Sequence, residues 1–247
     1  MSEKMICLEI DGIPVKVPAG TTILKAAEKA GIEIPTLCYM KELAPIGTCR
    51  ICVVEVDCGC KTAIVTSCSE PCQDGTKVRT NSPQVIQARR FVLSLLLSQH
   101  LNSCFSCDRN DECKDRQLAF CNYDKNCFTC PALETCRLRK YCIEYGLIKR
   151  DYPLNAEEKP IQTNGIYTYD ENRCILCRRC QRVCESLLGR DCLIRIMGRG
   201  PNISLSMTFL KGTLPYVCVS CGKCVEACPT GALFKNAESA VHGNAKK

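Results

Sequence analysis

The chain has 247 residues, a formal net charge of +7 and 25 cysteines, which is about one residue in ten. In a short secreted protein such a cysteine content would indicate a disulfide scaffold, but we find no signal peptide. The close Cys-x2-Cys repeats are instead typical of metal binding in a reducing, cytoplasmic compartment. Scattered basic residues argue against nucleic-acid binding, and apolar stretches shorter than 18 residues argue against a membrane span.

Residues 1–80 predict a small domain of strands with one helix. The helix begins at a cap, Thr21 or Thr22, and ends at Gly31. The strands are expected, in chain order, over 5–10, 13–17, 51–56, 62–66 and 77–80. Two strands, a helix and further strands in a domain of this size suggest a β-grasp fold.

Four cysteines in this domain have a spacing close to that of a [2Fe–2S] site, Cys38-x10-Cys49-x2-Cys52-x15-Cys68. A plant-type domain uses C-x4-C-x2-C…C, so the first gap is longer here. Cys72, four residues beyond Cys68, is the alternative fourth ligand.

Residues 81–150 predict a helical segment that becomes rich in cysteine. Pro83 opens a helix that runs to about Gln99. Two related motifs follow it. They are His100-x3-Cys104-x2-Cys107-x5-Cys113 and Cys127-x2-Cys130-x5-Cys136, the second with Cys121 upstream and Cys142 downstream.

Residues 151–165 read as a linker, residues 166–235 as a ferredoxin-like domain, and residues 236–247 as a tail. The ferredoxin-like domain contains two C-x2-C-x2-C-x3-C runs, the spacing of bacterial [4Fe–4S] ferredoxins. In two-cluster ferredoxins the fourth cysteine of each run binds the other cluster. The predicted ligand sets are therefore Cys174, Cys177, Cys180 with Cys228, and Cys218, Cys221, Cys224 with Cys184.

The sequence resembles the N-terminal part of the large iron–sulfur subunit of respiratory complex I. It is equally similar to the diaphorase-type small subunit of NAD-linked hydrogenases and to related formate dehydrogenases and transhydrogenases. The resemblance is carried by residues 35–39 and 47–56 and by the motif that starts at His100. It implies that Cys68 is the fourth [2Fe–2S] ligand, and that His100, Cys104, Cys107 and Cys113 bind a [4Fe–4S] cluster.

The motif around Cys127 departs from that family and looks like an internal duplication, so we expect an additional [4Fe–4S] cluster there. Its ligands would be Cys127, Cys130 and Cys136 with Cys121 or, alternatively, Cys142. The expected cofactors are thus one [2Fe–2S] and four [4Fe–4S] clusters in an α+β chain of three modules. A zinc site or free thiols is the alternative for the duplicated motif.

The resemblance also implies a role. No dinucleotide loop, P-loop or nucleophile–base pair is evident, so we expect no catalytic site in the chain itself. It would relay electrons, in an anaerobic setting, between a flavin subunit that oxidises NAD(P)H and a hydrogenase, formate dehydrogenase or transhydrogenase subunit, with ferredoxin as a further partner. The alternatives are a free-standing polyferredoxin-like carrier and a zinc scaffold without a redox role.

Overall fold

A computed structural model of the chain describes residues 4–59, 61–100, 132, 135–147, 151–155, 157–210, 218 and 221–236. Two compact units emerge. One comprises Met1–Leu95 with Tyr141–Leu147, and the other comprises Leu96–Lys140 with Ile148–Lys247. No helix among the described residues combines the length and the apolar character that crossing a bilayer requires.

The first unit is built on a five-stranded sheet. Its elements are β1 (Met5–Ile10), β2 (Ile13–Pro18), α1 (Ile23–Lys29), β3 (Val53–Asp57), β4 (Thr62–Thr66) and β5 (Lys77–Arg79). The strand order is β2-β1-β5-β3-β4, with β1 and β5 parallel and the other neighbours antiparallel. Strand β3 begins later than predicted, because the residues before it turn to place two of the cysteines.

Local sequence explains these elements. Asp11 and Gly12 both have positive φ angles, 47° and 84°, and make the tight turn of the first hairpin. Thr22 caps α1 by accepting a hydrogen bond from the Lys25 N–H group at 3.5 Å. Alternate residues of β1 are buried and, together with residues of α1 such as Leu24, form the core of this unit.

Helix α2 (Pro83–Ser98) follows the sheet and begins with proline, as predicted. The Ser82 hydroxyl accepts a hydrogen bond from the Val85 N–H group at 3.3 Å, which caps the first turn. Arg89 on this helix is only 1% exposed. Helix α3 (Arg137–Glu144) comes later in the chain, and its residues from Tyr141 onward belong to the first unit.

Among its described residues, the second unit contains two small sheets and two α-helices in addition to the first part of α3. Its elements are β6 (Gln162–Thr163), β7 (Tyr167–Tyr169), α4 (Arg179–Leu188), β8 (Ile194–Met197), β9 (Ser204–Met207), α5 (Lys223–Glu226) and β10 (Leu233–Lys235). Strands β10, β7 and β6 form one sheet in that order, and β8 pairs with β9. Strand β6 lies in the predicted linker, where backbone pairing with β7, invisible in the sequence pattern, orders the chain.

Candidate metal centres

The four cysteines predicted to bind a cluster in the first unit are buried together. Cys38, Cys52 and Cys68 are each 1% exposed and Cys49 is 8% exposed. Their thiols form two hydrogen-bonded pairs, Cys38 with Cys49 and Cys52 with Cys68. The two pairs also face each other, because Cys68 interacts electrostatically with both Cys38 and Cys49. Four sulfur atoms therefore converge in one apolar environment.

The loop before β3 turns sharply to present two of these thiols. Gly47 and Arg50 both have positive φ angles, 61° and 57°. The Cys49 N–H group donates to Cys38 Sγ at 3.5 Å, so the backbone itself supplies a donor to sulfur. Ser67 fixes the backbone at Cys52. Its hydroxyl and its N–H group both donate to the Cys52 carbonyl, at 2.7 and 3.1 Å.

Hydrogen bonding and burial control the charge of these thiols. The bond to Cys38, together with burial, raises the pKa of Cys49, and the bond to Cys68 together with burial raises the pKa of Cys52. The bond from Cys52 lowers the pKa of Cys68. Buried thiols with raised pKa values favour the neutral form, and a cation bound among them would stabilise their thiolates.

The Cys68 thiol lies beside the other three predicted ligands, whereas no such neighbour is seen for Cys72 among the described residues. Cys72 is also buried, and burial raises its pKa to about 11, but no thiol among the described residues contributes to that shift. Its N–H group donates to the Thr21 carbonyl at 2.8 Å, which holds the residue against the start of α1. Proximity therefore favours Cys68 over the alternative.

The structure describes one predicted ligand from each of the two motifs that follow α2, namely His100 and Cys136. His100 is 5% exposed, lies just beyond α2, and donates its backbone N–H to Leu97 at 3.2 Å. Cys136 precedes α3 and accepts an N–H hydrogen bond from Arg139 at 3.5 Å. Cys142 is fully buried on α3. The other predicted ligands lie outside the described residues: Cys104, Cys107, Cys113, Cys121, Cys127 and Cys130.

One complete predicted ligand set lines a single cavity in the second unit. The cavity has a volume of about 240 Å³. All four predicted thiols of that set, those of Cys184, Cys218, Cys221 and Cys224, are among its lining groups. Burial raises the pKa of Cys224 to about 12, and the nearby Cys184 thiol contributes to the rise. Cys184, which is distant in sequence from the other three, is thus brought to their site by α4.

The other ferredoxin-type set also converges. Burial raises the pKa of Cys177 to about 12, with contributions from the thiols of Cys174 and Cys228. The Cys180 thiol interacts with the same three cysteines. The Leu176 N–H group donates to Cys174 Sγ at 3.4 Å. The structure therefore groups the Cys228 thiol with those of Cys174, Cys177 and Cys180.

The two triplets have matching backbone turns. Arg178 precedes α4 with φ 62° and ψ 10°, and Gly222 precedes α5 with φ 61° and ψ −3°. Each residue follows the second cysteine of its triplet and places the third cysteine in the first helical turn. The left-handed conformation suits glycine and is strained for arginine. The repeated turn gives the two cysteine runs the same local geometry.

Two tyrosines beside the thiols were not predicted from the sequence. Tyr167 and Tyr169 lie on the same face of β7. The Tyr167 ring lines the cavity, and its hydroxyl donates to the Cys218 carbonyl at 2.6 Å. Burial raises the pKa of Tyr169, whose hydroxyl faces the Cys174 thiol. Their alternation just before the Cys174 run is the sequence signal that could have revealed them.

No group of three or more His, Cys, Asp or Glu side chains in the described part of the chain is arranged to hold a lone metal ion. The thiol groupings described above are instead the donor sets that a multi-iron cluster would use. In such a cluster each sulfur binds its own iron or shares one iron with a single neighbour.

Comparison with known proteins defines the class of this chain. Residues 3–83 match the model of a 2Fe-2S iron-sulfur cluster binding domain, and residues 215–234 match that of a 4Fe-4S binding domain. The α+β fold and the grouped thiols agree with both matches. The chain is an iron–sulfur protein with a [2Fe–2S] domain and a [4Fe–4S] motif.

The relatives narrow that class. The chain is 34% identical to NADP-reducing hydrogenase subunit HndD of Solidesulfovibrio fructosivorans, over 94% of this chain and 36% of that one. It is 33% identical to the mitochondrial NADH dehydrogenase (ubiquinone) iron-sulfur protein 1 of Solanum tuberosum, over 94% of this chain and 28% of that one. A crystal structure of NAD+-reducing [NiFe]-hydrogenase matches with a TM-score of 0.70 and 25% identity, covering 94% of this chain and 88% of that one.

The predicted resemblance is thereby confirmed. The chain is similar to proteins of NADH- and NADP-linked oxidoreductases, among them an NADH dehydrogenase iron-sulfur protein and a hydrogenase subunit. It spans 28% of the length of the NADH dehydrogenase protein and 36% of the length of the NADP-reducing hydrogenase subunit.

Proposed function

We propose that the chain is an electron-relay subunit that binds one [2Fe–2S] and four [4Fe–4S] clusters. The observation that carries the proposal is the cavity lined by the four thiols of Cys184, Cys218, Cys221 and Cys224. Because these residues come from two separate runs, their convergence is a property of the fold and is not imposed by local spacing. Partly buried thiols around an apolar cavity are the donor set that iron–sulfur clusters use.

The ligand assignment follows the observed groupings. In the first unit the Cys38–Cys49 pair would hold one iron of the [2Fe–2S] cluster and the Cys52–Cys68 pair the other. In the second unit Cys174, Cys177, Cys180 and Cys228 would hold one [4Fe–4S] cluster. The four cysteines that line the cavity, here called the cavity set, would hold another: Cys184, Cys218, Cys221 and Cys224. The sheet order, with β1 and β5 parallel and α1 packed on the sheet, supports a β-grasp fold for the first module.

Two further [4Fe–4S] clusters are proposed for the central segment, largely on sequence spacing. His100 with Cys104, Cys107 and Cys113 would bind one, and burial of His100 beyond α2 supports a role other than surface contact. Cys121, Cys127, Cys130 and Cys136 would bind the other. The N–H hydrogen bond that Cys136 accepts from Arg139 is of the kind that stabilises a thiolate ligand.

The protein's own contribution to electron transfer is to hold, bury and polarise the sulfur ligands. Iron–sulfur clusters, when bound, accept and release single electrons. Backbone N–H groups of Cys49 and Leu176 donate to ligand sulfurs and offset negative charge there. The apolar side chains of Leu188, Leu193 and Ile194 line the cavity beside these thiols and lower the polarity of their surroundings. These are the features by which proteins set cluster potentials.

Partners are inferred from the relatives. Because the sequence shows no nucleotide-binding or catalytic motif, the chain needs a donor and an acceptor on other subunits. The relatives include an NADH dehydrogenase protein and an NADP-reducing hydrogenase subunit. We therefore infer a flavin- and NAD(P)H-binding subunit at one end and a hydrogenase, formate dehydrogenase or transhydrogenase subunit at the other. A cytoplasmic location and ferredoxin as an additional partner belong to the same proposal.

Metal analysis of the anaerobically purified chain tests the proposal. We expect about 18 iron atoms per chain, with a similar amount of acid-labile sulfide, from one two-iron and four four-iron clusters. About 14 would mean that the duplicated central motif binds no cluster. Zinc without sulfide would overturn the proposal in favour of a zinc scaffold.

A free-standing polyferredoxin-like carrier is the second candidate. Size-exclusion chromatography of native extract, followed by identification of co-eluting subunits, separates the two. Elution of the holoprotein as an isolated chain would favour the carrier, whereas co-elution with a flavin subunit would support the relay.

A further inference from the structure

We infer that Cys192 is a reserve ligand for the cluster of the cavity set, able to replace Cys184 on its iron. The inference rests on the proposed function, because it assigns a fifth thiol to a cluster whose four ligands are proposed above. Neither the ferredoxin spacing nor the comparisons assign a role to Cys192.

The position of Cys192 carries the inference. The residue is 5% exposed and follows the short turn Gly189–Asp191 that connects α4 to β8. Its thiol is within hydrogen-bonding reach of the Cys184 thiol. It also donates to the Ile194 carbonyl at 3.1 Å, and Ile194 lines the cavity together with Cys184. A second sulfur therefore lies directly behind the proposed ligand and beside the wall of the same cavity.

The connection between the two cysteines permits a small displacement. Cys184 lies near the end of α4, so only the last helical turn and the three turn residues separate it from Cys192. Those turn residues are exposed, and Gly189 has φ 56°. Exposed turns shift at lower cost than packed elements. Movement of Cys192 toward the cavity would mainly exchange its carbonyl hydrogen bonds for an iron–sulfur bond.

The exchange needs no oxidant or reductant. When Cys184 is absent, one iron of the cluster lacks its thiolate. The Cys192 sulfur would bind that iron and its S–H proton would pass to solvent, so one Fe–S bond would form, one S–H bond would break, and the iron would keep its oxidation state. The four-iron cluster would then survive loss of a ligand that usually costs an iron atom.

Cys221 provides a matched control. It belongs to the same proposed cluster and lines the same cavity, but it precedes α5. The described partners of the Cys192 thiol lie on α4 and β8, where Gln181 accepts a hydrogen bond from it at 3.7 Å. We therefore expect Cys192 to compensate for the loss of Cys184 and not for the loss of Cys221.

The experiment compares five anaerobically purified variants of the full chain: Cys184→Ala, Cys192→Ala, Cys221→Ala, and the double variants C184A/C192A and C221A/C192A. Iron and sulfide per chain are measured, together with EPR spectra of the reduced protein. We expect C184A and C192A each to retain the iron content of the wild type. C184A/C192A should lose up to about four irons per chain, and C221A should lose iron with or without Cys192.

Iron loss in C184A equal to that in the double variant would overturn the inference. The EPR signal of the [4Fe–4S] cluster proposed for Cys174, Cys177, Cys180 and Cys228 reports whether the second unit has folded in each variant, because none of the substitutions removes a ligand of that cluster. A wild-type chain that contains no iron would instead overturn the proposed function, so the two failures are distinguishable.

Discussion

The hydroxyl of Tyr167 donates a hydrogen bond of 2.6 Å to the backbone carbonyl of Cys218. The same tyrosine ring lines the cavity that the cysteine faces. Strand β7 is only three residues long, yet through this bond it fixes the start of the second cysteine run. A side chain 51 positions upstream thus positions a proposed ligand.

Tyr167→Phe should leave the proposed cluster bound but make it easier for a chelator to remove its iron. The substitution keeps the apolar wall but removes one hydrogen bond, at a cost of about 1 kcal/mol. We expect unchanged iron content and faster loss of cluster absorbance in the presence of an iron chelator. Tyr152→Phe, at an exposed position, is the control and should bleach at the wild-type rate. Equal rates in both variants would show that the bond does not restrain Cys218.

The matched turns before α4 and α5 predict that introducing glycine at one of them raises the stability of the chain, whereas removing glycine from the other lowers it. Arg178→Gly removes the strain of a left-handed residue and should stabilise the chain by up to about 1 kcal/mol, visible as a higher melting temperature. Gly222→Ala introduces that strain and should destabilise it by about 1 kcal/mol, although no atom lies within 4 Å of the added Cβ. A lower melting temperature for Arg178→Gly would mean that the Arg178 side chain, which bonds Gln181 at 3.3 Å, outweighs the strain.

The sequence predicts most of the first unit because its signals are local. Hydrophobic alternation, the turn at Asp11 and Gly12 and the cap at Thr22 each act within a few residues, and the predicted strands and helix are present. Strand β6 was missed because only two residues pair, and their pairing depends on β7. Long-range pairing of a short polar segment leaves no periodic pattern to read.

For the candidate sites, too, local features could be predicted from the sequence and long-range contacts could not. Spacing within a run predicts which cysteines share a cluster, since three thiols in C-x2-C-x2-C lie on one short loop. The resemblance favours Cys68 over Cys72, and the fold adds physical support, because the Cys68 thiol neighbours the other three thiols and no thiol contributes to the pKa shift of Cys72. The contact between Cys192 and Cys184 required the fold, since the turn that joins them has no cluster-binding spacing.

Cys68 and Cys72 give a direct test of the first proposed site. Cys68→Ala removes a thiol hydrogen-bonded to Cys52 and should abolish the [2Fe–2S] EPR signal, with a loss of up to about two irons per chain. Cys72→Ala should retain both the signal and the iron, because Cys72 is held against α1 through its backbone. The reverse pattern would transfer the fourth ligand to Cys72.

His100→Cys should lower the potential of one [4Fe–4S] cluster without changing the iron content. A thiolate adds a negative charge where the neutral imidazole had none, and replacing His by Cys reverses the effect that raises Rieske potentials. Potentiometric titration followed by EPR measures the change, which should be confined to a single signal. His100→Ala should lose iron from the same cluster. Wild-type potentials in the Cys variant would show that His100 is a buried structural residue.

Arg89 is a buried cation whose described hydrogen-bond partners are all neutral. Its guanidinium donates to the Tyr145 hydroxyl at 2.6 Å and to the Val53 carbonyl at 2.8 Å. Val53 directly follows the proposed ligand Cys52, so Arg89 connects α2 to the cluster loop. Hydrogen bonds from a charged donor contribute about 1.5–3 kcal/mol each, and their loss leaves buried acceptors unsatisfied.

Arg89→Met should therefore destabilise the chain by about 3 kcal/mol, and Tyr145→Phe by about 1 kcal/mol. Because the two residues bond each other, the double variant should be about 1–2 kcal/mol more stable than the sum of the single effects predicts. Denaturant unfolding followed by circular dichroism measures all four proteins. Arg90→Met is the control, since exposed Arg90 bonds only the Tyr145 carbonyl among the described residues, and its loss should cost less than about 1 kcal/mol. Additive effects of Arg89 and Tyr145 would show that the hydrogen bond between them does not stabilise the buried cation, which would leave Val53 and Asn81 as its partners.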